Sequence, residues 1–210
     1  MKPKPLIIAI HGILTGQTTT SWPQRFEQFV EDQAALPVIT KTYLGGPFPM
    51  LNVWLLNRIL AREVLAALNP WLELPRPPRL CFVAHSNGCD VALKTIRALA
   101  KRGIPTHSFV ATGAAIEADV EKNGIADLLG SGMLSRAVAY CSKRDRAVAS
   151  RFIWPYGHLG RTGWLIDGAP ANGHDPRLIT RFFDGFGHST YFDEKHRTNT
   201  FHALLTDATT

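Results

Sequence analysis

The feature that most constrains this chain is the recurrence of short, almost wholly apolar runs separated by segments of helical period. PLIIAIH at 5–11, LCFVAH at 80–85, SFVATG at 108–113 and AVAYCS at 137–142 carry too few polar residues to alternate. Each therefore reads as a strand that needs cover on both faces. VITKTY at 38–43 and LITRFF at 178–183 add a β-branched strand and a final one.

Helices fill the intervals. One is capped by Thr20 or Ser21, with Pro23 where a missing amide proton costs little and Trp22, Phe26, Phe29 and Val30 at helical spacing. A second spans 51–68 and is expected to stop at Asn69-Pro70, after a turn-rich LGGPFP loop at 44–49. A third runs from Gly88 to Arg102, packs through Val91, Leu93, Thr95, Ile96 and Leu99, and ends at Gly103 and Pro105. A helix or loop is expected at 117–130, and a C-terminal helix over 191–207 anchored by Phe192, Phe201, Leu204 and Leu205. Strands alternating with helices make an α/β fold, a mostly parallel central sheet flanked by helices. The length of 210 residues suits one domain over 1–210, with the irregular stretch 150–177 as a lid or insertion.

Composition narrows the classes. Hydrophobic residues at 45% and charged residues at 19% are a globular balance, and 17 Gly with 14 Pro imply many tight turns. The apolar run before His11 is shorter than the roughly 7–15 residues of a signal peptide and reads as a first strand. No stretch approaches the roughly 18 apolar residues of a membrane span, so no integral membrane contact is expected. Cys81, Cys89 and Cys141 form neither an even disulfide framework nor a CxxC pair, and two sit in apolar runs. Buried free thiols and a cytoplasmic setting follow. The net charge of +6 comes from scattered basic residues, the densest group being KRDR at 143–146. General surface basicity is expected, with no nucleic-acid partner.

In such a sheet, ligands gather beyond the carboxyl ends of the strands. One end stands out, where FVAHSNGCDV at 82–91 passes from strand to helix with almost no loop. A turn that sharp strains the residue at its tip, Ser86, and needs small neighbours two places away on each side. Ala84 and Gly88 supply them. The Ser86 hydroxyl is then held above the sheet, while the Asn87 amide and the positive helix end face developing negative charge. That geometry suits a nucleophile, which still needs a base.

VAHSNG resembles the nucleophile elbow of the α/β-hydrolase superfamily, with alanine in place of the first glycine of GxSxG. The resemblance spans roughly 5–205 and implies a lipase- or esterase-like serine hydrolase with the chain order Ser, acid, His. IAIHGILTG is similar to first core strands that end in HG, which implies Ile13 N–H as an oxyanion donor opposite Asn87 N–H. His11 precedes Ser86 and is expected to pin that loop rather than carry protons.

RFFDGFGHSTYF resembles the superfamily's histidine loop and implies His188 as the base, framed by Gly185 and Gly187 and flanked by Phe186, Tyr191 and Phe192. Its rivals are His158, His174, His196 and His202. Asp145, just past AVAYCS, stands where the superfamily carries its acid. Asp119 is the leading substitute, Asp167 a weaker one, and Asp184 is too close to His188 to reach around it.

The implied activity is cleavage of carboxylic esters through an acyl-enzyme, as a carboxylesterase or lipase. A thioesterase, amidase or peptidase using the same triad is the alternative, and a non-catalytic binding protein of this fold a more distant one. No cofactor is called for, and the histidines show no HExxH or other metal-ligand spacing. Aromatic and apolar residues at 152–168, with Phe48, Met50, Leu51 and Trp54, suggest a greasy pocket and a small-molecule acyl ester as substrate. The sequence leaves oligomeric state open.

Overall fold

The computed structural model describes residues 3–12, 21–42, 49–149, 157–171 and 173–210, and of residues 49–54 the backbone alone. Six strands form one sheet: β1 (Pro5–Ile10), β2 (Val38–Lys41), β3 (Arg79–His85), β4 (Thr106–Thr112), β5 (Leu134–Cys141) and β8 (Leu178–Phe182). They lie in the order β2-β1-β3-β4-β5-β8, and every neighbouring pair is parallel. A separate two-stranded antiparallel ribbon joins β6 (Leu165–Ile166) to β7 (Ala169–Pro170).

Strand alternation divides the apolar residues between two faces. Leu6, Ile8 and Ile10 of β1, Leu80, Phe82 and Ala84 of β3, and Phe109 and Ala111 of β4 pack under three helices. These are α2 (Pro49–Leu72), α3 (Gly88–Lys101) and α4 (Ile125–Gly130). The intervening residues Ile7, Ala9, Cys81, Val83, Val110 and Val138 pack under α1 (Trp22–Ala34) and α7 (Glu194–Thr209). Both layers are closed to solvent, which is why the strands read as continuous apolar runs. Two single-turn helices, α5 (Arg146–Ala149) and α6 (Leu159–Thr162), follow β5.

The order of strands reverses at β1. The chain leaves β1 toward β2 on one side and returns to place β3 on the other. Reversing direction with right-handed crossovers puts the connecting helices on opposite faces, and α1 and α2 do lie on opposite faces. The carboxyl ends of β1 and β3 thus flank the switch point, where a crevice opens in sheets of this kind.

Two open local expectations are decided and one changes. Ser21 rather than Thr20 caps α1, with the Gln24 side chain accepting from the Ser21 N–H and hydroxyl at 2.9 Å each. α2 does not end at Asn69-Pro70. It runs to Leu72, and Glu73 N–H closes the turn on the Asn69 carbonyl at 3.1 Å. A proline this close to the helix end forfeits one hydrogen bond of a 24-residue helix, which its packed apolar face outweighs. The stretch at 117–130 resolves into turns followed by the short α4. All three cysteines are buried and free, as the sequence suggests, and burial pushes the Cys89 thiol well up and Cys141 up to about 12.

α7 is fastened to the sheet by a buried carboxylate. Asp207 accepts two bonds of 2.7 Å from the Arg181 guanidinium and one of 2.7 Å from the Tyr140 hydroxyl, with Arg136 at 3.4 Å. Removing the buried Asp207 carboxylate leaves the Tyr140 hydroxyl and the Arg136 guanidinium without their acceptor, while the half-exposed Arg181 can turn to water, at a cost of about 1–3 kcal/mol. Asp207→Ala should therefore lower the unfolding free energy by about that much in urea titration. Asp175→Ala, which breaks an ion pair whose carboxylate is 22% exposed against 4% for Asp207, should cost about 1 kcal/mol or less.

Candidate active site

Only Ser86 and Asn87 join β3 to α3. This forces Ser86 into the left-handed region, at φ 56°, a conformation that costs a residue with a side chain about 1–2 kcal/mol. The backbone around it is tied down. Ser86 N–H donates to the Thr112 carbonyl at 3.0 Å, and the Ser86 carbonyl accepts from Cys89 at 3.2 Å and Ala115 at 3.3 Å.

Two glycines let this turn seat against the end of β1. A Cβ on Gly88 would stand 2.7 Å from the His11 carbonyl oxygen and 2.8 Å from that of Ile10. On Gly12 it would stand 2.6 Å from the Ser86 Cβ and 3.1 Å from its hydroxyl. Gly12 thus makes room for Ser86 itself. His11 is buried and donates from Nδ1 to the Gly12 carbonyl at 2.9 Å, holding the chain as it leaves β1.

His188 Nε2 lies 2.9 Å from Ser86 Oγ, and His188 Nδ1 lies 2.8 Å from Asp145 Oδ2. A carboxylate only accepts, so Nδ1 carries a hydrogen, and in the neutral ring that leaves Nε2 to accept from the serine hydroxyl. The Asp145 side chain is fully buried and that of His188 is 20% exposed. The second Asp145 oxygen accepts from Val148 N–H of α5 at 3.1 Å. Under this pair sits Gly113, at φ 49°, where a Cβ would come within 3.1 Å of Asp145 Oδ2 and 3.3 Å of His188 Nδ1. Ser86, Asp145 and His188, up to 102 residues apart, form one hydrogen-bonded line along the carboxyl edge of the sheet.

No protein-family profile matches the chain. No curated protein matches it. Solved structures do resemble it. A protein from Xanthomonas campestris pv. campestris described as a hydrolase of the α/β superfamily superimposes with a TM-score of 0.51 and 12% identity, over 96% of this chain and 98% of that one. Acyl-protein thioesterase 2 from Zea mays gives 0.53 and 13%, over 99% and 95%. An uncharacterized protein from Bacillus cereus ATCC 10987 gives 0.59 and 16% over 98% of this chain, which spans 60% of that protein's length.

The chain has the α/β-hydrolase fold.

Within that fold the remaining sequence candidates separate cleanly from the line of three. Asp119 caps its own turn through the Glu121 and Lys122 amides and pairs with Lys122 at 3.5 Å. Asp167 occupies the turn of the β6–β7 ribbon, and Asp184 the turn after β8. His158 bonds to the Val148 carbonyl, His174 lies in the turn after Ala171, His196 packs on Phe186, and His202 lies edge-on to Phe29. Asn87 stands at the start of α3, and its side chain forms a reciprocal amide pair with buried Asn57 at 2.8 and 3.1 Å. Ile13 lies outside the described residues, as do Phe48 and the side chains of Met50, Leu51 and Trp54. The suggested lid at 150–177 is described only from residue 157, apart from Asn172.

Sequence reasoning missed how the loop that carries His188 is held. The Ser142 hydroxyl donates to the Phe186 carbonyl at 2.5 Å, and buried His85 donates from Nε2 to the His188 carbonyl at 2.9 Å. The Phe186 ring packs on Phe183 and Tyr191. Strand parity carried the signal for His85: it follows Cys81 and Val83 on the face of α7, the face over which the histidine loop returns. Burial keeps His85 well below the usual histidine pKa and lowers His11 to about 4.

Two outcomes follow from this packing. Gly88→Ala meets backbone rather than a movable side chain, so it should cost about 1–3 kcal/mol or more in a denaturant titration, the range of overpacked sites. His11 and His85 are neutral in the fold, whereas in the unfolded chain each takes a proton near pH 6.5. Their burial is therefore without penalty above that pH, and stability falls as pH drops from about 6.5 toward 4. The urea midpoint should decline between about pH 6.5 and 5, and His11→Gln should make that decline shallower.

Proposed function

We propose that the chain is a serine hydrolase that cleaves carboxylic esters through an acyl-enzyme. The observation that carries this reading is the pair of bonds from His188, one to Ser86 Oγ at 2.9 Å and one to the buried Asp145 at 2.8 Å. In this mechanism Nε2 of His188 takes the Ser86 proton as the oxygen attacks the acyl carbonyl. Asp145 holds the ring in the required tautomer and stabilises its cationic form. Asn87 N–H, at the positive end of α3, and Ile13 N–H are the proposed donors to the tetrahedral oxyanion. Protonated His188 then gives its proton to the departing alcohol, and the same ring activates the water that releases the acid.

A neutral acyl group of modest size is the proposed substrate. Its support is compositional, from Phe48, Met50, Leu51, Trp54 and the 152–168 segment. The likeness to a maize acyl-protein thioesterase favours thioesters as the second reading. The proposed unit is a single domain over 1–210.

A fluorophosphonate should label Ser86, located by peptide mapping; labelling elsewhere in active protein would overturn the nucleophile. Asp145→Asn should lower kcat by about 10⁴-fold with the fold retained, and His188→Ala by a comparable factor. Hydrolysis should withstand EDTA, since no step of this mechanism calls on a metal. Across a chain-length series of p-nitrophenyl esters the preference should be graded, because a methylene in an apolar pocket contributes only about 1–3 kcal/mol. Turnover of matched thioesters beside inert oxygen esters would replace the first substrate class with the second.

A further inference from the structure

The basic residues are less scattered on the molecule than along the chain. Arg58 and Arg62 of α2 and Lys94, Arg97 and Lys101 of α3 line one concavity of about 490 Å³ between the two helices. Asp90, the acid of α3, offsets one of these five charges by pairing with Lys94, and it accepts from Asn57. Glu63, the acid of α2, pairs with Lys41 at 3.6 Å. Arg97 also donates to the Asn123 carbonyl. Cations spaced three and four apart on a helix repel one another, and here two such rows face the same groove.

Beside these charges α2 exposes aliphatic side chains. Leu55 is 51% and Ile59 42% exposed, two of the four most exposed large hydrophobic residues among those described. At 3.6 residues per turn, Leu55, Arg58, Ile59 and Arg62 fall within about a third of the helix circumference. They lie opposite Val64 and Leu68, which enter the core. Exposed Ala66 continues the outward line. An aliphatic ridge rimmed by cations is the pattern of a surface that rests in the interface of a bilayer, with apolar side chains among the acyl chains and cations at the headgroup phosphates. A nucleic acid would satisfy the cations and leave Leu55 and Ile59 in water. None of the described helices is long and apolar enough to cross a membrane, so the contact is peripheral.

We propose that the α2–α3 face docks on an anionic lipid surface through the Arg58, Arg62, Lys94, Arg97 and Lys101 groove and the Leu55–Ile59 ridge. The contact is independent of the catalytic reading. It is tested by flotation of the purified protein with vesicles of phosphatidylcholine alone or with about one third phosphatidylserine, a load that gives the surface its negative potential. Binding should require the anionic lipid and weaken as salt rises from about 0.05 to 0.3 M. Arg62→Glu with Lys101→Glu should lower it by at least about tenfold. Leu55→Asn with Ile59→Asn should lower it at every salt concentration. These side chains project outward, so all variants should keep the parent melting temperature, and Ser86→Ala should bind as the parent does. Equal binding to neutral vesicles, or full binding by the charge-reversed variant, would overturn the proposal. So would a ridge variant that binds anionic vesicles normally and releases them to soluble polyphosphate, since that behaviour marks a site for soluble polyanions.

Discussion

The structure turns on the contact between the end of β1 and the turn from β3 into α3. The two segments approach so closely that neither Gly88 nor Gly12 has space for a Cβ. This contact fixes the first turn of α3 against the carbonyls of Ile10 and His11, and it presses Gly12 against the Ser86 side chain. The left-handed conformation of Ser86 is a consequence. With only two residues between strand and helix, the chain turns in the space the glycines leave, and the bonds that Ser86 donates to Thr112 and accepts from Cys89 and Ala115 hold it there. The strain is local, and its cost is offset by the helix and strand that the turn connects.

Parallel pairing then sets where the other side chains arrive. His85 pairs with Thr112, Thr112 with Tyr140, and Cys141 with Phe182, so the four strands end nearly level. Ser86, Gly113, Asp145 and His188 all follow that edge. Gly113 leaves room beneath the Asp145–His188 bond. Ser142 and His85 reach up from two strand ends to the carbonyls of Phe186 and His188. The loop is thus held by its backbone on both sides of the ring, and its aromatic flank closes over the α7 face. A ring carried on a free loop would lose rotational entropy each time it met the serine. Here that cost falls on folding instead.

How much of this was legible depends on the range of the interaction. Strands were readable because burial on both faces leaves unbroken apolar runs, and the Ser86 turn because its sterics are confined to five residues. The order of the three bonded side chains was readable through likeness, not physics: nothing in the sequence local to Asp145 distinguishes it from Asp119, which is also buried but turned to its own backbone. Pro70 misled because a proline was read as a stop without weighing the packed length of helix before it. The basic groove was invisible for another reason. Arg58 and Arg62 are distant from Lys94, Arg97 and Lys101 in sequence, and only the packing of α2 against α3 makes them neighbours.

This division also explains how a fold can be shared at 12–16% identity when no sequence profile matches the chain. Most positions of the sheet ask only for apolar volume on the correct face, a demand that very many sequences meet. The demands that admit few residues are geometric and sparse. They are the missing Cβ atoms at Gly12 and Gly88, a tolerated positive φ at Ser86, the opening under Gly113, and donors at Ser142 and His85. Those few positions lie scattered over more than half the chain, so they leave little trace in a residue-by-residue comparison. They converge at one edge of the sheet, and that is why the architecture and the arrangement around Ser86 are apparent together in three dimensions.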